Sequence, residues 1–375
     1  MTISPPQLKP RRQLISLASM LAAGLLGLAL LTAGTAAAQP KPGKPLYWGA
    51  LIGPELTGTA PPWDMSAAAQ FTASVGKGMS VLPFSAPFLD CTQKPCERLY
   101  FPEDAMQSIR NYGAIPFFNW ASQATPTSPN QKRFRLKQII NGKYDEFIEG
   151  FAEGAAAWGH PFFLRFDWEM NGFWYPWSPG VNHNKASEFV AAWRHVWRIF
   201  QSVGATNATW VWCPNVDFTG KLTPLRQLYP GNKYVGWTCL DGFNWGKTHN
   251  SIGWQTFPEI FRSTYQRVTK LAPGKPMMVG ETASDDRGGS KPAWIKEMLN
   301  VIPKRYPKVR GLIWYDEKDQ GMHWPLSSSQ AATNAFAKGI SSSLYRPNVY
   351  GGQPAGKIGP PTMQAPPPEP PAAQP

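Results

Sequence analysis

Phe162-Phe163-Leu164-Arg165-Phe166-Asp167-Trp168-Glu169-Met170-Asn171-Gly172-Phe173-Trp174-Tyr175-Pro176-Trp177 is the stretch that decides the fold. It opens as a short apolar, aromatic run, fit for a strand buried on both faces. It then turns into charged and amide side chains set among indole and phenol rings. A buried strand ending in polar groups is the repeating unit of a parallel barrel, whose sites lie at the C-terminal ends of its strands. Working outward, the unit recurs. The apolar runs predict strands at 46–51, 79–84, 114–119, 162–167, 208–213, 235–241, 277–281 and 309–316. Phe189, Ala192, Trp193, Val196 and Phe200 share one face of a helix over 185–203, and Phe147, Phe151 and Ala155 do the same over 144–158. Further helices are expected at 64–75, 102–111, 258–271 and 291–302. Eight strands alternating with helices predict an α/β fold, a single (β/α)8 TIM barrel over residues 46–345.

The ends read differently. Lys9, Arg11 and Arg12 precede an apolar run over 14–31, and Ala36-Ala37-Ala38 forms an A-x-A-like cleavage site. Residues 1–38 are therefore expected to be a signal peptide, with 39–45 a short linker. An uncleaved anchor helix is the alternative. Arg11-Arg12 also resembles a twin-arginine export signal. The product is expected to be secreted, periplasmic or held at the cell envelope, with no stable membrane span after processing. Residues 346–375 carry Pro366-Pro367-Pro368 and Pro370-Pro371 and are expected to form a disordered Pro-rich tail. A monomer is expected.

The formal charge is +13, and three basic residues leave with the signal peptide, giving +10. Such a surface suits an anionic envelope or acidic polymer, or reflects no specific partner. No basic stripe or motif marks a nucleic-acid binder. An oxidising compartment permits disulfides. Cys91 and Cys96 lie five apart in one loop, and Cys213 and Cys239 end neighbouring strands. No zinc-ligand spacing appears and the five histidines show no metal pattern.

Two carboxylates carry the chemistry. Glu169 follows the fourth strand among aromatic rings that suit the flat faces of sugars. Glu281 ends the seventh strand within Val279-Gly280-Glu281-Thr282. A glutamate there is costly unless paired or functional. Strands four and seven face each other across a barrel mouth, so the two can flank one glycosidic bond. A retaining mechanism needs them about 5–5.5 Å apart and an inverting one roughly 6.5–9.5 Å. A buried ion-pair cluster of Arg165, Asp167 and Glu169 is the structural alternative. It leaves the aromatic run unexplained.

These residues resemble glycoside hydrolase family 26. Trp168-Glu169-Met170-Asn171-Gly172, with Trp174 and Trp177, is similar to the family's fourth-strand motif, and Gly280-Glu281 to its seventh-strand nucleophile. Tyr229 to Val235, running on to Leu240-Asp241-Gly242-Phe243, resembles its sixth-strand approach. The likeness spans about residues 46–341. It implies a retaining enzyme, mostly an endo-β-1,4-mannanase, that needs no cofactor. Glu169 would be the acid/base and Glu281 the nucleophile. Trp314 would stack under the sugar at the cleavage point. Arg165 would hold Glu281 ionised or orient Asp167. Trp168, Asn171, Trp174 and Trp177 would line the groove, with Phe243 at the sixth-strand position. From their places in the chain alone, Asn215 and Asp217 after the fifth strand are expected to bind hydroxyls, Asp241 to do likewise or cap a loop, and Trp245 to be a sugar platform or core. Two positions depart from the family: Trp168 replaces its usual His, and Phe243 its usual Tyr.

The substrate is expected to be a polysaccharide, with β-1,4-mannan leading. The rivals are β-1,3-xylan, a mixed-linkage β-glucan, the cell's own exopolysaccharide, and a non-catalytic barrel that only binds glycans. Of Trp48, Trp63, Trp120, Trp212 and Trp245, about half are expected to be ordinary core. Asp316, Glu317 and Asp319, with His323, suggest either a calcium or sugar site or a solvated acidic loop.

Overall fold

The computed structural model describes residues 43–364 apart from 219, 221 and 249–251. The expected signal peptide, linker residues 39–42 and residues 365–375 lie outside the described residues. Nine strands form one sheet. They are β1 (Tyr47–Ile52), β2 (Val81–Asp90), β3 (Glu97–Arg98), β4 (Ile115–Thr125), β5 (Phe162–Phe166), β6 (Ala208–Trp212), β7 (Trp237–Asp241), β8 (Met277–Thr282) and β9 (Val309–Asp316). Their order is β1-β9-β8-β7-β6-β5-β4-β2-β3. All neighbours are parallel except β3, which pairs antiparallel with β2 beside the Cys91–Cys96 disulfide. The sheet curls until β1 meets β2. There Ser80 N donates to Trp48 O at 3.0 Å, and Trp48 N donates to Ser80 Oγ at 2.8 Å. This is the arrangement of a (β/α)8 barrel, and all eight expected strands are present.

Helices wrap the sheet: α1 (Met65–Val75), α2 (Glu103–Tyr112), α3 (Leu136–Ile140), α4 (Asp145–Trp158), α5 (Ala186–Ser202), α6 (Phe257–Leu271), α7 (Lys291–Arg305) and α8 (Gln330–Ile340). Local chemistry sets their ends. Asp64 accepts from Ser66 N at the start of α1, and Gly76 closes it at φ 72°, where a side chain would be strained. Thr256 and Glu259 form a capping box on α6. The α5 face of Phe189, Ala192, Trp193, Val196 and Phe200 is buried, as its period requires. The β6–β7 link carries only a short 3-10 turn, Leu225–Gln227, among the described residues. Trp48, Trp120 and Trp212 are fully buried core, whereas Trp63 is 59% exposed.

Residues 346–364 correct the expectation of a disordered tail. Arg346 N donates to Leu46 O, Tyr350 N to Gly113 O, and Ile358 N to Thr209 Oγ1. Trp237 Nε1 donates to Ile358 O and Tyr47 Oη to Gly359 O. Tyr350 and Ile358 are buried. Tyr47 and Trp237 begin their strands and Thr209 is second in its own, so the segment packs across the N-terminal end of the barrel. The Gly and Pro content misled because two apolar anchors and a row of backbone hydrogen bonds suffice to order it.

Candidate active site

The turn after β5 aims the first carboxylate. Asp167 and Glu169 both have left-handed backbone, φ 42° and 51°. Such conformations cost on the order of 1–3 kcal/mol each for non-glycine residues and persist only where surroundings enforce them. Ser122, on β4, enforces the first: its N and Oγ donate to the Asp167 carboxylate at 2.8 and 2.7 Å. Burial pushes Asp167 up to about 8 against those two hydrogen bonds. At Glu169, the main-chain N donates to Cys213 O at 2.7 Å, tying the turn to the end of β6.

Beneath the turn lies one guanidinium among three carboxyl groups. Arg165 is fully buried, donating to Asp241 Oδ2 at 2.6 Å and to Glu281 Oε1 at 2.9 Å. Glu169 adds a third acid, 7% exposed. One cation cannot balance three buried negative charges, so the cluster favours a proton on one acid. Burial pushes Asp241 upward as well, against the Arg165 charge, but Asp241 does not reach the cavity, and Glu169 is the raised acid that can pass a proton to a ligand there. Burial raises its pKa to about 7, the Glu281 charge adds to this, and Arg165, Trp174 and Asn215 act in the opposite sense. Trp174 Nε1 donates to Glu169 Oε2 at 2.7 Å, and Asn215 Nδ2 to Oε1 at 2.7 Å. Trp174→Phe removes the first of these donors. The pKa of Glu169 should then rise, and the alkaline limb of any Glu169-dependent activity should move to higher pH, which a pH–rate profile reads directly.

Gly280 has a steric reason. A Cβ built there would lie 2.1 Å from Cys239 Sγ and 2.8 Å from Asp241 Oδ1. The expected Cys213–Cys239 disulfide is formed, and it fills this space under Asp241.

Above the acids opens a cavity of about 720 Å³, reached by Glu169, Glu281, Trp174, Asn215, Phe243 and Trp245 from the sequence-based set. Trp168 is 8% exposed. The Arg165 guanidinium packs 5.1 Å from its ring and its Nε1 donates to Tyr175 Oη at 3.0 Å. Trp168 and four other expected lining residues lie off the cavity wall. Trp314 is fully buried on the outer face of β9 against Trp294 and Phe336, so it does not stack under a sugar in the cleft. Trp177 is also buried, stacked on Tyr175 and donating to Trp168 O, and braces the loop from behind. Asn171 exchanges two hydrogen bonds with the Asn215 backbone and sets that residue's position. Asp241 lies below the floor.

Sequence reasoning missed Tyr175, Phe218, Tyr315 and Trp324, which all line the cavity. Tyr315, the neighbour of Trp314 on β9, is the ring that faces inward. Asp316 accepts from Leu326 N and so shapes its loop. Burial and the nearby Glu55 and Asp319 carboxylates raise Glu317 to about 7. Two clusters among the described residues gather three candidate metal ligands each. In one, Cys213 and Cys239 are bonded to each other. In the other, Arg287 already occupies Asp285. Neither is built for an ion.

Comparison with known proteins adds a lineage to this geometry. The family description glycosyl hydrolase family 26 matches residues 108–284. Endoglucanase H of Acetivibrio thermocellus is 34% identical over 243 residues, 64% of this chain; the chain spans about a quarter (26%) of that relative. Among solved structures, the modular endo-β-1,4-mannanase of Cellulomonas fimi superposes with a TM-score of 0.60 at 15% identity, covering 82% of this chain and 72% of that one. The catalytic domain of the Bacillus sp. JAMB-750 endo-β-1,4-mannanase gives 0.59 at 17%, covering 82% and 88%. GH26A of Muricauda sp. MAR_2010_75 gives 0.54 at 17%, covering 81% and 92%. At these identities the structural likenesses speak for the fold alone.

Proposed function

Since the chain belongs to glycosyl hydrolase family 26, we propose that it is a retaining endo-glycosidase of a β-linked polysaccharide, with β-1,4-mannan the leading substrate. The observation that carries this reading is the arrangement of Glu169 and Glu281 on one aromatic-walled cavity, one acid held near pH 7 and the other clasped by Arg165.

Glu281 attacks the anomeric carbon while Glu169 gives its proton to the glycosidic oxygen. The carbon–oxygen bond to the leaving sugar breaks, and a glycosyl ester forms on Glu281. Glu169, now a carboxylate, takes a proton from water. The water oxygen attacks the same carbon, the ester bond breaks, and Glu281 is regenerated. Two inversions leave the configuration unchanged. Arg165 offsets the Glu281 charge between steps, and Asn215 and Trp174 hold Glu169 in place in both of its protonation states.

A β-glucan is the second reading. The relative matched at 34% identity is named an endoglucanase, and Trp168 and Phe243 stand where the family resemblance leads one to expect His and Tyr. A reducing-end assay over mannan, xylan, glucan and exopolysaccharide separates the two. Products that do not depend on Glu281, or no products at all, would sink the hydrolase reading. Proton NMR of the first product tests retention.

The pH profile follows from the acid. Glu169 must be protonated to act, so kcat/KM should hold below its pKa of about 7 and fall as pH rises through it. A rate that climbs across roughly pH 6 to 8 would contradict the assignment.

A further inference from the structure

Lys291 opens α7, the helix after the strand that bears Glu281, and is fully buried. Its ammonium meets carbonyl oxygens rather than a carboxylate. Nζ donates to His323 O at 2.5 Å, Trp324 O at 3.0 Å, Pro325 O at 2.8 Å and Ser328 Oγ at 3.0 Å. The Trp314 ring lies 5.6 Å from it. Three successive carbonyls converging on one point mean that loop 323–325 is curled round the cation. An ammonium has three protons, and all are used here. Burial lowers its pKa to about 8, with Asp316, Asp286 and Asp285 acting against that fall.

The same loop has further ties to segment 285–291, among them His323 Nδ1 paired with Asp286 Oδ1 at 2.9 Å and Arg287 Nη2 donating to the Met322 sulfur. His323 N donates to Asp285 Oδ2 at 3.1 Å, and Arg287 Nη2 donates to Gly321 O at 3.0 Å. The payload of the loop is Trp324. Its ring is only 1% exposed, lies 5.2 Å from both Phe243 and Trp245, and reaches the wall of the cavity that Glu281 also lines. Without the cation, carbonyls 323–325 would repel one another and turn away, taking the indole with them. An apolar side chain would fill the same space and leave those carbonyls unpaired.

We propose that Lys291 is a positioning residue for substrate: it curls loop 323–325 so that Trp324 stands fixed against Phe243 and Trp245 in the aromatic wall of the cleft, and thereby sets how well a sugar in the cleft is held. This rests on the hydrolase reading above, since it assigns the wall a sugar.

The test uses the full chain with Lys291→Met, Trp324→Ala and the double variant. Lys291→Met should lower kcat/KM by about 10- to 100-fold, mostly through KM. The double variant should be no worse than Trp324→Ala, because both changes remove one wall. Near-ultraviolet circular dichroism should show the ellipticity lost in Trp324→Ala to be lost in Lys291→Met also. The proposal is overturned if folded Lys291→Met keeps kcat/KM within about twofold of wild type, or if the two losses multiply in the double variant. A Lys291→Met chain that does not fold is replaced by Lys291→Gln, which keeps a donor and should fall between the two. If the wild type cuts no polymer, the hydrolase reading fails by itself. The dichroism comparison then still decides whether Lys291 orders Trp324.

Discussion

Glu281→Ala is expected to lower kcat by about 10,000-fold or more on every polymer the wild type cuts, since it removes the group that forms the covalent intermediate. The fold should survive, because Arg165 keeps Asp241 as its partner at 2.6 Å. The space left by the carboxylate suits a small anion. Added azide should restore part of the rate and yield a glycosyl azide of inverted configuration, one displacement having been lost. Glu169→Ala should behave differently. It should cost about 100- to 10,000-fold, least for substrates whose leaving group needs no proton. Azide on that variant should give the retained configuration, because Glu281 still makes the first displacement. Azide products of the opposite stereochemistry from each variant would exchange the two roles. Equal, small losses from both would favour the glycan-binding alternative.

Arg165→Met should be the most destabilising single change in the site. The side chain is fully buried and bonded to two carboxylates. Methionine fills much of the volume but leaves those acids without a counter-charge. Breaking a buried pair from one side costs about 3–5 kcal/mol, which lowers the melting temperature by on the order of 10 °C. The sign with pH is fixed. With the guanidinium gone, the buried acids bind protons more tightly in the folded chain than in the unfolded one. Stability is then lost as pH rises. The gap in melting temperature between Arg165→Met and wild type should be small near pH 5 and widen toward roughly pH 8. A gap that stays constant across that range would mean that Arg165 acts through packing alone. Activity should collapse with the change at all pH values, because the positions of Glu281 and Asp241 both depend on it.

Much of this was legible in the sequence, and the failures have physical causes. All eight barrel strands could be read because strands buried on both faces are written as unbroken apolar runs. The same property hides which face is which. In Val309–Asp316 nothing in the composition tells Trp314 from Tyr315, and register shifts between β8 and β9 break simple counting. Trp314 therefore drew a role it cannot fill, and Tyr315 and Trp324 were passed over. Glu169 and Glu281 were legible because a carboxylate at the end of a buried strand has few other reasons to be there. Asn171 and Trp177 were placed in the right neighbourhood and on the wrong side of it, since a loop's interior and its exposed face draw on the same aromatic and amide residues. α3 was missed because five residues give no period to detect.

The packing of residues 346–364 under the strand starts gives the molecule two poles. The first described residues, leading into Tyr47, and the last ones, past Pro361, both sit at the pole away from the glutamates. The cleft occupies the other pole. A polymer strand entering the cleft therefore meets loops of the barrel and neither end of the described chain.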